Sequence, residues 1–263
     1  HFFSPVDKMP LVEVILGEKT EDEAIARSLD YIQQIRKTPI VVNDSRGFYT
    51  SRVFSTFTAE GINMLAEGVH PALIENAAKM AGMPVGPLAV TDEVTIELAW
   101  KIGRETAAAT GAEYPADASS RAICMMVEDL DRKGKRYGKG FYEYPADGRK
   151  YLWPGLAEHF PAQEEQPGVE ELKKRLLTIQ ALETARCMEE GVVTHAEDGD
   201  IGSIFGWGFP AYTGGTVSYI DTLGIAEFVA ECDRMARLYG ERFKVSDWLR
   251  EKAEQGQPFH GQA

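Results

Sequence analysis

Cysteine is scarce and unpatterned in this sequence: Cys124, Cys187 and Cys232 lie far apart, with no C-x-x-C spacing. A dithiol redox motif is therefore not expected. Cys124 in "RAICMMVE" and Cys187 in "TARCMEEG" fall among apolar residues of helical pattern, and the reading is of buried free thiols in a reducing, cytoplasmic setting. Histidine is also rare, and neither H-E-x-x-H nor any other metal-ligand spacing occurs, so no metal is expected. No apolar run approaches the length of a membrane span. Positive charge is in short supply, 28 Lys and Arg against 41 Asp and Glu, for a net charge of −13. Nucleic acid and anionic membrane surfaces need a basic footprint, so neither is expected as the main partner. An initiator methionine and a signal-peptide pattern are both missing, and the first residues, "HFFSPV", already read as strand. The expectation is of a piece of a longer protein.

What is present divides into a short α/β start and a long helical remainder. "HFFSPV" and "LVEVIL" read as strands, and "TEDEAIARSLDYIQQIRK" reads as a helix with Thr20 and Glu23 in a capping box. "PIVVN" follows as another strand. From Ser45 the period turns helical. "FYTSRVFSTFTAEGINMLAEG" stops at Gly68, "PALIENAAKMAG" starts at Pro71, Asp92 and Asp117 stand where helix caps belong, and "GFYEYPADGRKYLW" carries Asp147-Gly148 as a hairpin turn. "PGLAEHFPAQEEQPG" has linker composition, and "VEELKKRLLTIQALETARCMEEGV" restarts the helices.

The restart repeats the earlier helix. Arg52, Glu60 and Glu67-Gly68-Val69 match Arg175, Glu183 and Glu190-Gly191-Val192, each 123 positions on. "MPVGPLAVTDEV" likewise resembles "FPAYTGGTVSYIDTL". Two copies in one order predict an internal duplication whose helices pack about a pseudo-two-fold axis. The expected division is 1–44 as part of an open α/β sheet, 45–153 as a first helical repeat, 154–168 as a linker and 169–263 as a second repeat.

The first candidate for chemistry is His1 with Glu13. If the two opening strands pair antiparallel about Asp7, paired numbers sum to 14 and His1 faces Glu13 on one sheet face. A carboxylate beside an imidazole fixes its tautomer and makes it a better base, which suits a group that takes a proton from an alcohol. Ser51, near the start of the first long helix, reads on propensity as a cap. A Ser51–His1–Glu13 hydrolase set is discounted, because no G-x-S-x-G elbow exposes the serine. His70, His159, His195 and His260 read as surface residues. The basic turn "RKGKRYGKG" reads as a helix end followed by flexible glycines, with contact to a phosphate-bearing ligand such as a coenzyme A as the alternative.

"HFFSPVDKMPLVEVI", "DSRGFYTSRVF", "GMPVGPLAVTDEV", "GKGFYEY" and "GFPAYTGGTVSYIDTLG" together resemble 3-hydroxyacyl-CoA dehydrogenase, and more closely the dehydrogenase half of the multifunctional fatty-acid oxidation protein. The resemblance implies a mainly α fold, with two duplicated helical repeats after the last strands and helix of a truncated Rossmann domain. It implies oxidation of an L-3-hydroxyacyl-CoA by NAD, with His1 taking the hydroxyl proton and Glu13 orienting it. It implies substrate contacts at Ser51, where many members carry asparagine, at Ser4, and at the Gly86-Pro87 turn. An enoyl-CoA hydratase domain would precede, and a thiolase subunit is the protein partner it allows. The Gly-rich phosphate loop of a Rossmann domain is absent from these residues, so NAD binding and turnover by this segment alone are not expected. The competing class is a non-catalytic helical module that dimerises or docks.

Overall fold

The structure, a computed structural model, describes residues 1–261. In chain order the elements are β1 (Leu11–Leu16), α1 (Asp22–Gln34), β2 (Thr38–Asn43), α2 (Thr50–Ala66), α3 (Pro71–Met80), α4 (Pro87–Val94), α5 (Ile96–Thr110), α6 (Ala118–Cys124), β3 (Tyr142–Glu143), β4 (Tyr151–Leu152), α7 (Leu156–His159), α8 (Val169–Glu189), α9 (Ala196–Trp207), α10 (Thr216–Leu223), α11 (Ile225–Tyr239) and α12 (Asp247–Glu254). The chain forms two compact units, residues 1–56 with 177–263, and residues 57–176. Their limits fall inside α2 and α8. No helix among the described residues is long and apolar enough to cross a membrane.

The first unit opens on a parallel β1–α1–β2 crossover, with Leu11 opposite Thr38 and Glu13 opposite Ile40. β-Branched residues in both strands suit the pleat, and Leu11, Val12, Ile40 and Val42 are buried. Two local expectations fail here. "HFFSPV" contributes only a bridge from Phe2 to Val12, because the chain turns at Pro5, whose carbonyl accepts from the amides of Lys8 and Met9. No capping box starts α1: Asp22 is the first helical residue, so Glu23 lies one position too early. Thr20 instead accepts the Gly17 amide.

α9 packs on β1 and β2 through glycine. A Cβ on Gly202 would lie 2.8 Å from the Tyr49 ring and 2.9 Å from Ile40 Cδ1, and one on Gly206 would lie 3.0 Å from Leu11 Cδ2 and 3.2 Å from Thr50 Cγ2. Helical glycine costs about 1 kcal/mol against alanine, and close approach of helix to sheet offsets it here. Tyr49, fully buried, donates its hydroxyl to the Gly199 carbonyl at 2.8 Å. The rest of this unit packs α8, α10, α11 and α12 around Leu182, Ile220, Phe228 and Leu249.

In the second unit, His70 caps α3 by accepting the Ala72 amide. Asp117 caps α6 in a capping box, and β3 pairs antiparallel with β4 as the Asp147-Gly148 hairpin predicts. In the 154–168 stretch Leu156 and Phe160 are buried, and Gln163 donates to the carbonyls of Glu67 and Gly68. Asp92 does not cap a helix. Thr95 does that for α5, while Asp92, buried in α4, accepts from the amides of Phe141 and Tyr142 and the Tyr144 hydroxyl. Glu75 accepts from the Leu88 and Ala89 amides at the start of α4 and from the Tyr142 hydroxyl. The first unit holds a parallel arrangement: Asp200 accepts from the Val217 and Ser218 amides at the start of α10, and Asp221 from those of Phe259 and His260. His260 is therefore not a simple surface residue. Its ring lies 3.0 Å from Asp221 and 3.1 Å from Asp200.

Burial pushes the Asp92 carboxyl up to about 6, against the pull of its amide donors. A carboxyl raised on folding adds stability when protonated, and this contribution is lost as pH climbs from its unfolded value near 4 through its folded value. Relative to Asp92→Asn, the wild type should lose about 2–3 kcal/mol between pH 4 and pH 7. Urea unfolding of both across that range checks it, and parallel profiles would refute it.

Candidate active site

The antiparallel start places His1 opposite Glu13. The His1 amino group donates to the Glu13 carbonyl at 2.9 Å, the Glu13 amide returns a bond to the His1 carbonyl at 3.1 Å, and Phe2 bridges Val12, all in the register whose numbers sum to 14. The side chains meet on the same face, with His1 Nδ1 2.6 Å from Glu13 Oε2. The imidazole is flanked by the rings of Phe3 and Phe48, at 4.7 and 5.3 Å between centroids, and its side chain is 28% exposed.

Glu13 is 1% exposed in the middle of β1, and an ionised carboxylate there needs donors on every side. The start of α2 supplies them. Oε1 accepts the Tyr49 amide at 3.2 Å and the Thr50 amide at 2.9 Å, and Oε2 accepts the Thr50 hydroxyl at 2.8 Å. These amides belong to the turn that opens α2, where helix amides lack internal partners and the helix dipole favours negative charge. Reaching this geometry bends the preceding loop through left-handed conformations at Gly47 (φ 82°) and Phe48 (φ 50°). For a bulky residue such a φ costs on the order of 1–3 kcal/mol. The amide bonds to Glu13 and the Phe48–His1 ring contact lie immediately beside the strained residue. The same loop, Asp44 to Phe48, lines an open surface depression of about 470 Å³.

An ionised Glu13 can only accept. It therefore requires Nδ1 of His1 to carry hydrogen, which leaves Nε2 with its lone pair free to take a proton. The arrangement can act as an oriented base.

Ser51 is exposed on the first turn of α2, next to Thr50, and Ser4 is exposed in the turn that follows Phe3. Gly86 and Pro87 belong to the other unit, where they open α4 above Glu75. In the basic turn, Lys133 and Lys139 both pair with Asp131, and Arg132 is buried against the Gly140 and Tyr142 carbonyls and the Trp153 ring. Thr50 and Phe48 went unrecognised in the sequence. The one signal for them was their place beside Ser51 in "GFYTSR".

The fold has counterparts among solved structures. It matches the crystal structure of 3-hydroxybutyryl-CoA dehydrogenase from Escherichia coli (TM-score 0.76, 20% identity, 97% of this chain and 70% of that one). It also matches the dehydrogenase part of multifunctional enzyme 1 from C. elegans (TM-score 0.69, 23% identity, 95% of this chain and 58% of that one). The family follows from sequence: residues 1–45 match the NAD binding domain of 3-hydroxyacyl-CoA dehydrogenase, and residues 47–144 match its C-terminal domain. The chain belongs to the 3-hydroxyacyl-CoA dehydrogenase family of oxidoreductases.

Proposed function

We propose that this chain carries the base and the helical part of an enzyme that oxidises L-3-hydroxyacyl-CoA to 3-ketoacyl-CoA with NAD. The observation that carries the reading is the 2.6 Å contact of His1 Nδ1 with a buried Glu13 held by three donors from Tyr49 and Thr50. In this reading Nε2 of His1 removes the hydroxyl proton, and Glu13 fixes the imidazole and stabilises the imidazolium that results. A bound NAD would supply hydride-acceptor chemistry at C3. Residues 1–45 match its binding domain, and no G-x-G-x-x-G phosphate loop lies in the sequence. Ser51, Ser4, Gly86 and Pro87 are the proposed substrate contacts, and residues 1–263 alone are expected to be inactive.

The wider setting follows the resemblance: fatty-acid oxidation in the cytoplasm, a multifunctional protein that also carries enoyl-CoA hydratase, and a thiolase subunit as partner. The helical part is proposed as two repeats packed about a pseudo-two-fold axis. In support, Arg52 bonds Glu183 and Glu190 while Arg175 bonds Glu60 and Glu67, the reciprocal pairing such an axis produces. The carboxylates Glu75 and Asp92 are matched by Asp200 and Asp221 in the same way.

The test measures NADH formation from L-3-hydroxybutyryl-CoA at 340 nm. The natural enzyme should turn over, its His1→Gln variant should not, and any hydratase activity should survive the change. Normal oxidation by His1→Gln, or robust turnover by residues 1–263 alone, would overturn the reading.

A further inference from the structure

We propose that Thr50 is a positioning residue for the base, acting through Glu13; this rests on the reading of His1 and Glu13 given above. Oε2 of Glu13 is shared between two donors, the Thr50 hydroxyl at 2.8 Å and the His1 ring at 2.6 Å. Oε1 is held by the backbone amides of Tyr49 and Thr50. Among the described residues the hydroxyl is therefore the one side-chain group besides the imidazole that touches the oxygen on which the tautomer depends.

Its own orientation is set from behind. Thr50 is 1% exposed, and its methyl group lies over Gly206 of α9, where an added Cβ would come within 3.2 Å of Cγ2. A β-branched side chain in a helix has few χ1 choices. With the methyl seated against Gly206, the hydroxyl is turned to Glu13. The carboxylate plane is thus clamped at three points by two consecutive residues, and rotation about its terminal torsion, otherwise soft, is blocked. A carboxylate free to rotate would swing Oε2 away from Nδ1 and let the ring choose the other tautomer. Valine at position 50 would keep the shape and the seat on Gly206 but remove the donor. Serine would keep the donor and remove the methyl.

The experiment has two arms, each with Thr50→Val, Thr50→Ser and Glu13→Gln. In the first, the ¹⁵N resonances of the His1 imidazole are recorded in residues 1–263, with unfolding midpoints measured alongside. Wild type and Thr50→Ser should show a protonated Nδ1 and a free Nε2, whereas Thr50→Val should show a mixture of tautomers. In the second, kcat and KM are measured in the natural enzyme. Thr50→Val should lose roughly tenfold in kcat, about what one charge-assisted hydrogen bond supports, with KM within twofold, and Thr50→Ser should recover most of it. The proposal is overturned if Thr50→Val keeps both the wild-type tautomer and kcat, or if Thr50→Ser falls as far as Thr50→Val, which would point to packing alone. Failure of the underlying reading looks different: Glu13→Gln would then keep wild-type turnover, whatever position 50 does.

Discussion

Replacing Arg175 with alanine is expected to lower the unfolding free energy by about 3–5 kcal/mol. Arg175 and Glu60 are each 1% exposed. Nε and Nη2 of Arg175 reach Glu60 Oε1 at 2.8 and 2.5 Å, and Nη2 also lies 2.8 Å from Glu67 Oε2. Taking both charges out of water costs several kcal/mol per ion, repaid only by their mutual attraction and hydrogen bonds. Alanine removes the repayment and leaves the Glu60 cost, together with a cavity the size of a long side chain. The double variant Arg175→Met/Glu60→Leu removes both charges and fills the space, so it should be markedly more stable than Arg175→Ala. Arg52 provides the internal comparison. It makes the reciprocal contacts, but its side chain is 20% exposed and Glu190 is 53% exposed. Solvent screens that pair, and Arg52→Ala should cost clearly less than Arg175→Ala. Urea denaturation of the three variants against wild type checks the ranking. Equal losses for Arg52→Ala and Arg175→Ala would contradict the argument from burial.

These two arginines also show what the sequence made legible. The Arg, Glu and Glu-Gly matches at a constant spacing were visible because α2 and α8 both stop at glycine. Which of these side chains meet could not be read, since a spacing says nothing about which surface meets which. His1 and Glu13 were legible for a different reason: in a short antiparallel pair one turn position fixes every partner. Thr50 was not, because its partner lies 37 positions away and a threonine at a helix start has an adequate local explanation as a cap. Phe48 was hidden too, since its left-handed backbone is imposed by the bonds that Tyr49 and Thr50 make to Glu13, not by its own preference. Asp92 and His260 were misjudged through the same rule. An aspartate before a helical run suggests a cap, and a histidine near a chain end suggests solvent, yet each is bound to groups from a distant segment.

Glu13→Gln in the natural enzyme should reduce kcat for L-3-hydroxyacyl-CoA oxidation by about 10³- to 10⁴-fold with little loss of fold. Glutamine has nearly the same shape and keeps one oxygen, which can go on accepting the Tyr49 and Thr50 amides. Its other terminus is an NH₂ group, and it falls where Oε2 faces Thr50 and His1. The Thr50 hydroxyl can turn and accept from it, so the buried site stays satisfied and stability changes modestly. His1 has no such freedom. Facing a donor, Nδ1 must become the acceptor, the ring proton moves to Nε2, and the nitrogen assigned to the hydroxyl proton loses its lone pair. The positive charge that would develop on the ring also loses its counter-charge. The amide therefore reverses the tautomer while leaving geometry nearly intact, and the effect should appear in kcat more than in KM. Imidazole ¹⁵N spectra of the variant should show Nε2 protonated across the neutral range. A kcat within tenfold of wild type, or an Nδ1-protonated ring beside Gln at position 13, would remove Glu13 from the mechanism and with it the basis for reading His1 as an oriented base.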